Sequence, residues 1–391
     1  MKPLNILGPQ EAQLRFDNLR RQMEAEEADA VIITDNANIY YLTGRVFDGY
    51  IYVPASGIPV YFVRRPVNLE GDGVVAIRKP EDMALTIGLN APGRLGLELD
   101  VTVWSVAQRL SKVFEGAEVI NFSPAMRRLR SVKTPAEIEK IRLSGIRQER
   151  VYRRIPHLYH EGMTDLELQI EIERVSRLEG CLGQFRISGD SMELYMGNVL
   201  VGENADTPTP YDFAMGGEGL DPSLPVGCNG TIIRPGDTVM VDVNGNYTGY
   251  MTDMTRTFVA ERTSELAEKA HQCSIEICHR MQADARPGVE ARSLYATAES
   301  MAREAGLERY FMGHRQKAGF VGHGVGIEIN ELPVIAPRSR DIIAEGNVIA
   351  FEPKFVIPGA GAVGIENTYC VGAAATECLT NAPEQLITLL A

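Results

Sequence analysis

Five side chains in the later part of the chain are of types that bind divalent cations, and each sits where an isolated polar group would be costly. Asp242 interrupts the apolar run TVMVDV, and Asp253 lies in the next extended stretch, MTDMTRTF. A carboxylate buried in a sheet needs a partner. If NGNYTG, residues 244–249, forms the loop of a hairpin, Asp242 falls opposite Met251, with Asp253 two residues further along the same face. Moving the midpoint by one residue, to between Tyr247 and Thr248, sets the two acids directly opposite. Glu352 in VIAFEPKFV and Glu366 in AVGIENTYCV repeat the pattern, with PGAGA, 358–362, near their midpoint. His323 stands between two glycines in GHGVGIEINELP, 322–333. Residues without a Cβ let a metal and a substrate come close to the imidazole.

Each residue alone has a plainer reading. Asp242 could cap a turn, Glu366 could be a paired charge, and His323 could be a hydrogen-bonded core histidine. Together they form a set of four carboxylates and one imidazole. Four carboxylates side by side repel, and some take up protons unless cations lie between them. The set suits two adjacent divalent ions with carboxylate bridges and a shared water. Its hardness favours Mn²⁺, Fe²⁺, Co²⁺ or Zn²⁺ over copper.

The elements that position these residues follow from local patterns. Residues 10–28 read as a charged helix, 31–35 as a buried strand, and 51–63 as two strands around Ser-Gly-Ile-Pro. A strand at 94–100 and a helix at 101–114 complete a small α/β domain ending near 125. Thr134-Pro135, followed by Glu137, starts a long helix with an apolar stripe of Ile138, Ile141 and Ile146. Another helix is expected at about 164–179. Helices at 264–284 and 289–305, and strands at 320–331, 347–357 and 363–371, give the second domain an α+β character with an antiparallel sheet. The division is placed at 1–130 and 131–391.

The 391 residues and 45% hydrophobic content allow two full cores, and the net charge of −13 argues against nucleic acid or an anionic membrane as the main partner. The start, MKPLNILGPQEAQ, lacks the apolar core of a signal peptide, and no apolar run approaches a membrane span. The six cysteines, at 181, 228, 273, 278, 370 and 378, contain no CxxC and read as reduced core residues, consistent with a cytoplasmic protein. His157, His160, His271 and His279 lie in helix-like segments, and Trp104 reads as packing.

The segments VDVNGNYTGYMTDMTRTF, GHGVGIEINELP, FEP and GIEN resemble the metallopeptidases of the pita-bread fold, which include Xaa-Pro aminopeptidase, prolidase and methionine aminopeptidase. NIYYLTG, LGLELD and LRSVKTPAEIEKIR are similar to the creatinase/prolidase N-terminal domain and its connecting helix. The resemblance covers nearly the whole chain. It implies a pita-bread catalytic domain, a dinuclear centre on Asp242, Asp253, His323, Glu352 and Glu366, and Glu352 as acceptor of the attacking water's proton. It further implies a homodimer acting on small peptides, with hydroxide attack on an amide carbon.

The sequence departs from that pattern at three places. A second histidine of the peptidases falls at Asn330, an upstream one at Val226 after Pro225, and an arginine at Gly364. Asn330 can donate a hydrogen bond to an oxyanion but cannot shuttle a proton. His314, Tyr211 or Asp212 could substitute from loops, and Asn244 shares a strand face with Asp242. The long Gly/Pro-rich loop 203–227 is of a length often tied to function. The resulting expectation is a metal-dependent hydrolase of small peptides of the Xaa-Pro type. The alternatives are a metal-dependent lyase or amidohydrolase on a small metabolite, or a non-catalytic relative.

Overall fold

The protein was analysed as a computed structural model, which describes residues 2–88, 92–183, 185–187, 196–213 and 215–390. The chain divides into two compact units, Met1–Arg130 and Ser131–Ala391.

In the first unit the run AVII at Ala30–Ile33 is buried at every position, as a strand covered on both faces must be. It lies inside a six-stranded mixed sheet ordered Val74–Ala76, Val60–Arg65, Asp48–Pro54, Ala30–Ile33, Arg94–Leu97 and Glu118–Asn121. The two strands around Ser-Gly-Ile-Pro pair antiparallel, Ile51 against Tyr61. A helix at Asn36–Thr43, absent from the sequence expectation, is capped by the Asp35 carboxylate and closed by Gly44 at φ +71°. It is fixed by Glu98, a fully buried residue whose carboxylate accepts from the Asp35 amide (2.8 Å) and Asn38 Nδ2 (2.6 Å). Ile32, Phe62, Leu95, Leu110 and Phe114 belong to this unit's core.

The second unit repeats one motif: a pair of helices packed on a sheet, with two of the acids on or beside its strands. Helices Pro135–Tyr152 and Asp165–Leu178 share a core with the sheet ordered Ile387–Thr388, Thr255–Val259, Thr238–Val243 and Gly197–Val201. Helices Glu265–Asp284 and Ala291–Glu304 share another with the sheet ordered Glu331–Ile335, Gly322–Gly324, Val348–Phe351, Asn367–Val371 and Thr376–Cys378. All three strands expected in the later part of the unit are broken in the structure, 363–371 at Ile365-Glu366. Residues 320–331 hold only Gly322–Gly324 and the start of Glu331–Ile335, and 347–357 is interrupted at Glu352-Pro353. Among the described residues no helix is long and apolar enough to cross a membrane.

The helix Pro135–Tyr152 begins as expected, with Thr134 and Glu137 forming a reciprocal cap. Its buried face keeps only Ile141 of the isoleucine stripe. Ile146 is exposed, and the buried positions include Ser144, Gly145, Gln148, Val151 and Tyr152. Gly145 is required because a Cβ there would lie 2.2 Å from the Leu379 carbonyl oxygen. The polar groups on this face serve the hairpin that carries Asp242 and Asp253, as described below.

His271 in the second helix pair is 2% exposed, and its Nε2 donates to the Glu384 carbonyl at 2.8 Å. Burial lowers its pKa to about 4. The unfolded chain therefore binds a proton here below about pH 6.5 while the folded chain does not until about 4. Stability contributed by this site is full above that window and falls as pH drops through it, by roughly 3 kcal/mol. Urea denaturation of wild type and H271Q at pH 7 and 4.5 checks this: the wild type is expected to lose more stability between the two. Equal losses would contradict it.

Candidate metal centre

The strand Thr238–Val243 pairs with Thr255–Val259 in a register that sets Asp242 against Thr255. Gly245–Asn246 and Met251–Thr252 continue the same register. Neither hairpin midpoint read from the sequence is correct: the turn is centred between Thr248 and Gly249, so Asn244 rather than Asp242 stands level with Asp253. Between the two ladders, at Val243–Asn244 and Asp253–Met254, the pairing is interrupted. Freed backbone groups in a buried place must find partners. Tyr152 supplies them, its hydroxyl accepting from the Val243 amide at 3.0 Å and donating to the Met254 carbonyl. Gln148 Nε2 donates to the Val243 carbonyl at 2.6 Å, and Thr368 Oγ1 accepts from the Asp253 amide at 2.8 Å. The helix thus holds open a break in the sheet from which Asp253 projects. Y152F is expected to cost about 1–3 kcal/mol, the penalty for unsatisfied buried groups. Chemical denaturation measures it, and no loss would mean that the break does not depend on the hydroxyl.

The second acidic pair is set by one register running through two ladders. Phe351 pairs with Asn367 and Lys354 with Gly364, which leaves Glu352 across from Glu366. Arg256, fully buried, fixes the Glu366 backbone by donating to its carbonyl at 2.8 Å while also reaching the Asn367 side chain and the Pro383 carbonyl. Thr255 Oγ1 donates to Glu366 Oε2 at 2.7 Å.

His323 is held between strands, level with Val334 and Ala350. Its glycine neighbours are required by the sheet. A Cβ at Gly322 would lie 2.4 Å from the Ala350 carbonyl oxygen, and one at Gly324 would lie 2.1 Å from that of Leu332. His323 Nδ1 donates to the Gly324 carbonyl at 3.1 Å, which directs Nε2 toward Glu352 Oε1 (3.3 Å) and Asp253 Oδ2 (3.8 Å). Such a bond to the far nitrogen orients an imidazole for metal binding.

Two sets of potential ligand atoms result, each within 4.8 Å of one another: Asp253, His323 and Glu366; and Asp242, Glu352 and Glu366. In the first, Glu366 Oε1 is buried and has no hydrogen-bond partner, as a position awaiting a cation would. This set fits one divalent ion. The second set does not fit another, because Lys354 Nζ already bridges it, 2.7 Å from Asp242, 2.8 Å from Glu352 and 3.2 Å from Glu366.

The charges shift one another strongly. Burial, then the charge of Asp242, push Asp253 up to about 7. Burial and the neighbouring carboxylates hold Glu366 well above the usual range. Burial alone would raise Glu352, but the Lys354 ammonium and the His323 hydrogen bond outweigh it and bring it to about 2. Burial would lower His323; its bond to Glu352 and the charges of Glu352 and Asp253 raise it to about 9.

A cavity of about 250 Å³ opens onto the cluster. Asp242, Asp253, His323, Glu352 and Glu366 all line it, with Asn244 and Asn330. Phe185, Ile187, Phe213, Met215, Phe320 and Ile329 provide apolar walls. Three residues expected from the sequence do not line it. His314 Nδ1 instead bonds Asp206 at 2.9 Å. Val226 is buried with its amide donating to the Leu224 carbonyl, and Tyr211 packs on Phe213 at 5.7 Å between ring centroids. Asp212 does line the cavity. Sequence reading missed Lys354 and Asn198. The lysine could have been found: it stands two residues after Glu352 in an otherwise apolar stretch, and so shares its face. Asn198 lies opposite Asp242 on the strand Gly197–Val201, and no local pattern marks it.

Comparison with known proteins identifies the family. Residues 139–373 match metallopeptidase family M24, and residues 15–132 match the creatinase/prolidase N-terminal domain. The chain is 26% identical over 380 residues to the Xaa-Pro dipeptidase of Pyrococcus furiosus, covering 95% of this chain and 99% of that one. It is 31% identical over 268 residues to the probable dipeptidase PepE of Mycobacterium bovis, covering 67% and 62%. Its fold superimposes on that of the Xaa-Pro dipeptidase from Bacillus anthracis with a TM-score of 0.80 at 22% identity, covering 97% and 100%. With a creatinase/prolidase-type domain followed by a pita-bread domain, the chain belongs to metallopeptidase family M24 and is a hydrolase of the peptidase type.

Proposed function

We propose that the chain hydrolyses small Xaa-Pro peptides with the help of a divalent cation held by Asp253, His323 and Glu366. The observation that carries this reading is the meeting of the ligand sets at the floor of a small cavity with apolar walls. A divalent cation at such a site supplies Lewis acidity toward a carbonyl and an attacking water. The chain's own residues supply the rest. Asn198 Oδ1 and Asn244 Oδ1, buried residues lining the cavity, have no hydrogen-bond partner among the described residues and suit the N-terminal ammonium of a short peptide. Phe185, Phe213 and Phe320 suit an apolar ring such as proline's. Asn330, which lines the cavity, would donate to the oxygen on which charge develops. Glu352 takes the proton of the water; Lys354 keeps it ionised throughout the working range and also makes it a weaker base.

The second reading, a lyase or amidohydrolase on a small metabolite, is favoured by Asn330 in the place the family resemblance gives to histidine. Incubation with Mn²⁺, Co²⁺ or Zn²⁺ and Ala-Pro, Met-Ala-Ser or small N-substituted metabolites separates the two. Release of free proline from Ala-Pro is the expected result; turnover of a metabolite but no peptide would replace the first reading by the second. N330H, which restores a proton-carrying group, is expected to raise proline release by roughly 10-fold or more, general acid catalysis contributing about 10²–10⁴ in favourable cases. Unchanged turnover with the cation still bound would count against a role for Asn330 beside the scissile amide.

A further inference from the structure

We propose that the ammonium of Lys354 takes the place of one of the two divalent cations, so that this centre binds a single ion, at Asp253, His323 and Glu366. The inference rests on the metal-dependent reading above and specifies its stoichiometry. It replaces the dinuclear expectation drawn from the ligand types and from the family resemblance.

The two sets of ligand atoms share Glu366 and are otherwise distinct. In the second set, the three N–H donors of Lys354 meet three carboxylates, those of Asp242, Glu352 and Glu366, at 2.7, 2.8 and 3.2 Å. A cation coordinated by those oxygens would sit about 2.0–2.2 Å from each. That position falls within the van der Waals volume of the ammonium, so cation and lysine exclude one another.

Lys354 has no easy alternative place. Its side chain is fully buried. Its backbone is fixed on both sides: the carbonyl accepts from the Met312 amide at 2.8 Å, and the residue is paired across the ladder with Gly364. Gly364 is at φ +146°, and a Cβ there would lie 3.1 Å from the Lys354 Cα, so the close approach of the strands depends on glycine. Moving Nζ out would leave the buried carboxylates of Glu352 and Glu366 and the half-buried one of Asp242 facing one another, which is strongly unfavourable.

The first set is free of the lysine on one crucial atom. Lys354 and Thr255 both bond Glu366 Oε2, whereas Glu366 Oε1 is buried and partnerless. His323 has Nδ1 committed to the Gly324 carbonyl and Nε2 turned toward Asp253 and Glu352. One nitrogen and carboxylate oxygens around an unpartnered buried oxygen match a borderline divalent ion.

The test is a count made without substrate. Chelator-stripped protein is titrated with Mn²⁺, and bound metal per chain is read by mass spectrometry and by electron paramagnetic resonance. Wild type is expected to bind one ion per chain, with the hyperfine spectrum of isolated Mn²⁺. K354A, in which the second set is vacated, is expected to bind two, with an exchange-coupled signal. Two ions or a coupled signal in wild type overturns the proposal, and so does K354A that folds and binds one or none. If K354A does not fold, the wild-type count and spectrum decide alone. Two ions with proline release intact sinks this inference and spares the peptidase reading. One ion without proline release does the reverse, and no bound ion overturns this inference together with metal dependence.

Discussion

Glu366→Gln is expected to weaken cation binding by more than ~100-fold, since even the outer partners of metal ligands contribute 10–100-fold. Glu366 is the one side chain common to both sets of ligand atoms. Its Oε1 is the partnerless oxygen, and its Oε2 receives Lys354 and Thr255. Glutamine keeps the shape but removes the negative charge and turns one acceptor into a donor. The fold is expected to survive, because Arg256 and the Thr255 backbone hold the Glu366 backbone whatever its side chain. A ligand that binds only the folded state adds about 2.7 kcal/mol of stability at a hundred times its Kd. Thermal melts with and without Mn²⁺ should therefore show a cation-dependent rise for wild type that E366Q lacks at the same concentration. Equal rises would remove Glu366 from the centre.

The largest loss of stability is expected from Lys133→Met. Lys133 Nζ lies 2.9 Å from Glu331 Oε2, and the two side chains are 1% and 2% exposed. The other carboxylate oxygen, Oε1, accepts from the amides of Ile327 and Glu328. Glu331 thereby shapes the turn that carries Ile329 and Asn330 to the cavity. Gly326 makes this possible, since a Cβ there would lie 2.5 Å from the carboxylate. Removing one partner of a buried ion pair costs about 3–5 kcal/mol, because the remaining charge stays desolvated. Denaturant melts of K133M should show that loss, and the double variant K133M/E331Q should regain part of it. A loss under ~1 kcal/mol, the range of exposed ion pairs, would mean that the pair is not buried in solution.

Much of the centre was legible because carboxylates in apolar strands are rare and need a reason. The four acids and His323 could be named from their types and surroundings, and the symmetry of Glu352 and Glu366 about PGAGA gave their register. The register of Asp242 was not legible. It depends on where the ladder breaks, and that is decided by Tyr152 and Gln148, about ninety residues earlier in the chain, which satisfy the backbone groups of Val243 and Met254. Local patterns carry no information about so distant a partner. The same limit explains the helix Pro135–Tyr152, whose buried face mixes Ile141, Val151 and Tyr152 with Ser144 and Gln148, which serve the hairpin.

The flanking glycines of His323 show a different limit. Sequence reveals that a Cβ is missing but not which neighbour requires its absence. Here the neighbours are the carbonyls of Ala350 and Leu332. Val226 was chosen from the family resemblance, and His314 and Tyr211 as loop residues of suitable type, yet a loop without periodicity does not disclose which of its residues turn inward; Asp212 and Phe213 do. Lys354 is the instructive omission. Counting ligands by type counted the anions and overlooked the cation on the same strand face.

The central claim is that Asp253, His323 and Glu366 converge on a divalent ion at the floor of the cavity. An anomalous difference map from crystals soaked in Mn²⁺ tests it most directly. The expected result is a peak about 2.0–2.2 Å from His323 Nε2 and from carboxylate oxygens of Asp253 and Glu366. Bound manganese elsewhere, with no peak among these three side chains, would contradict it.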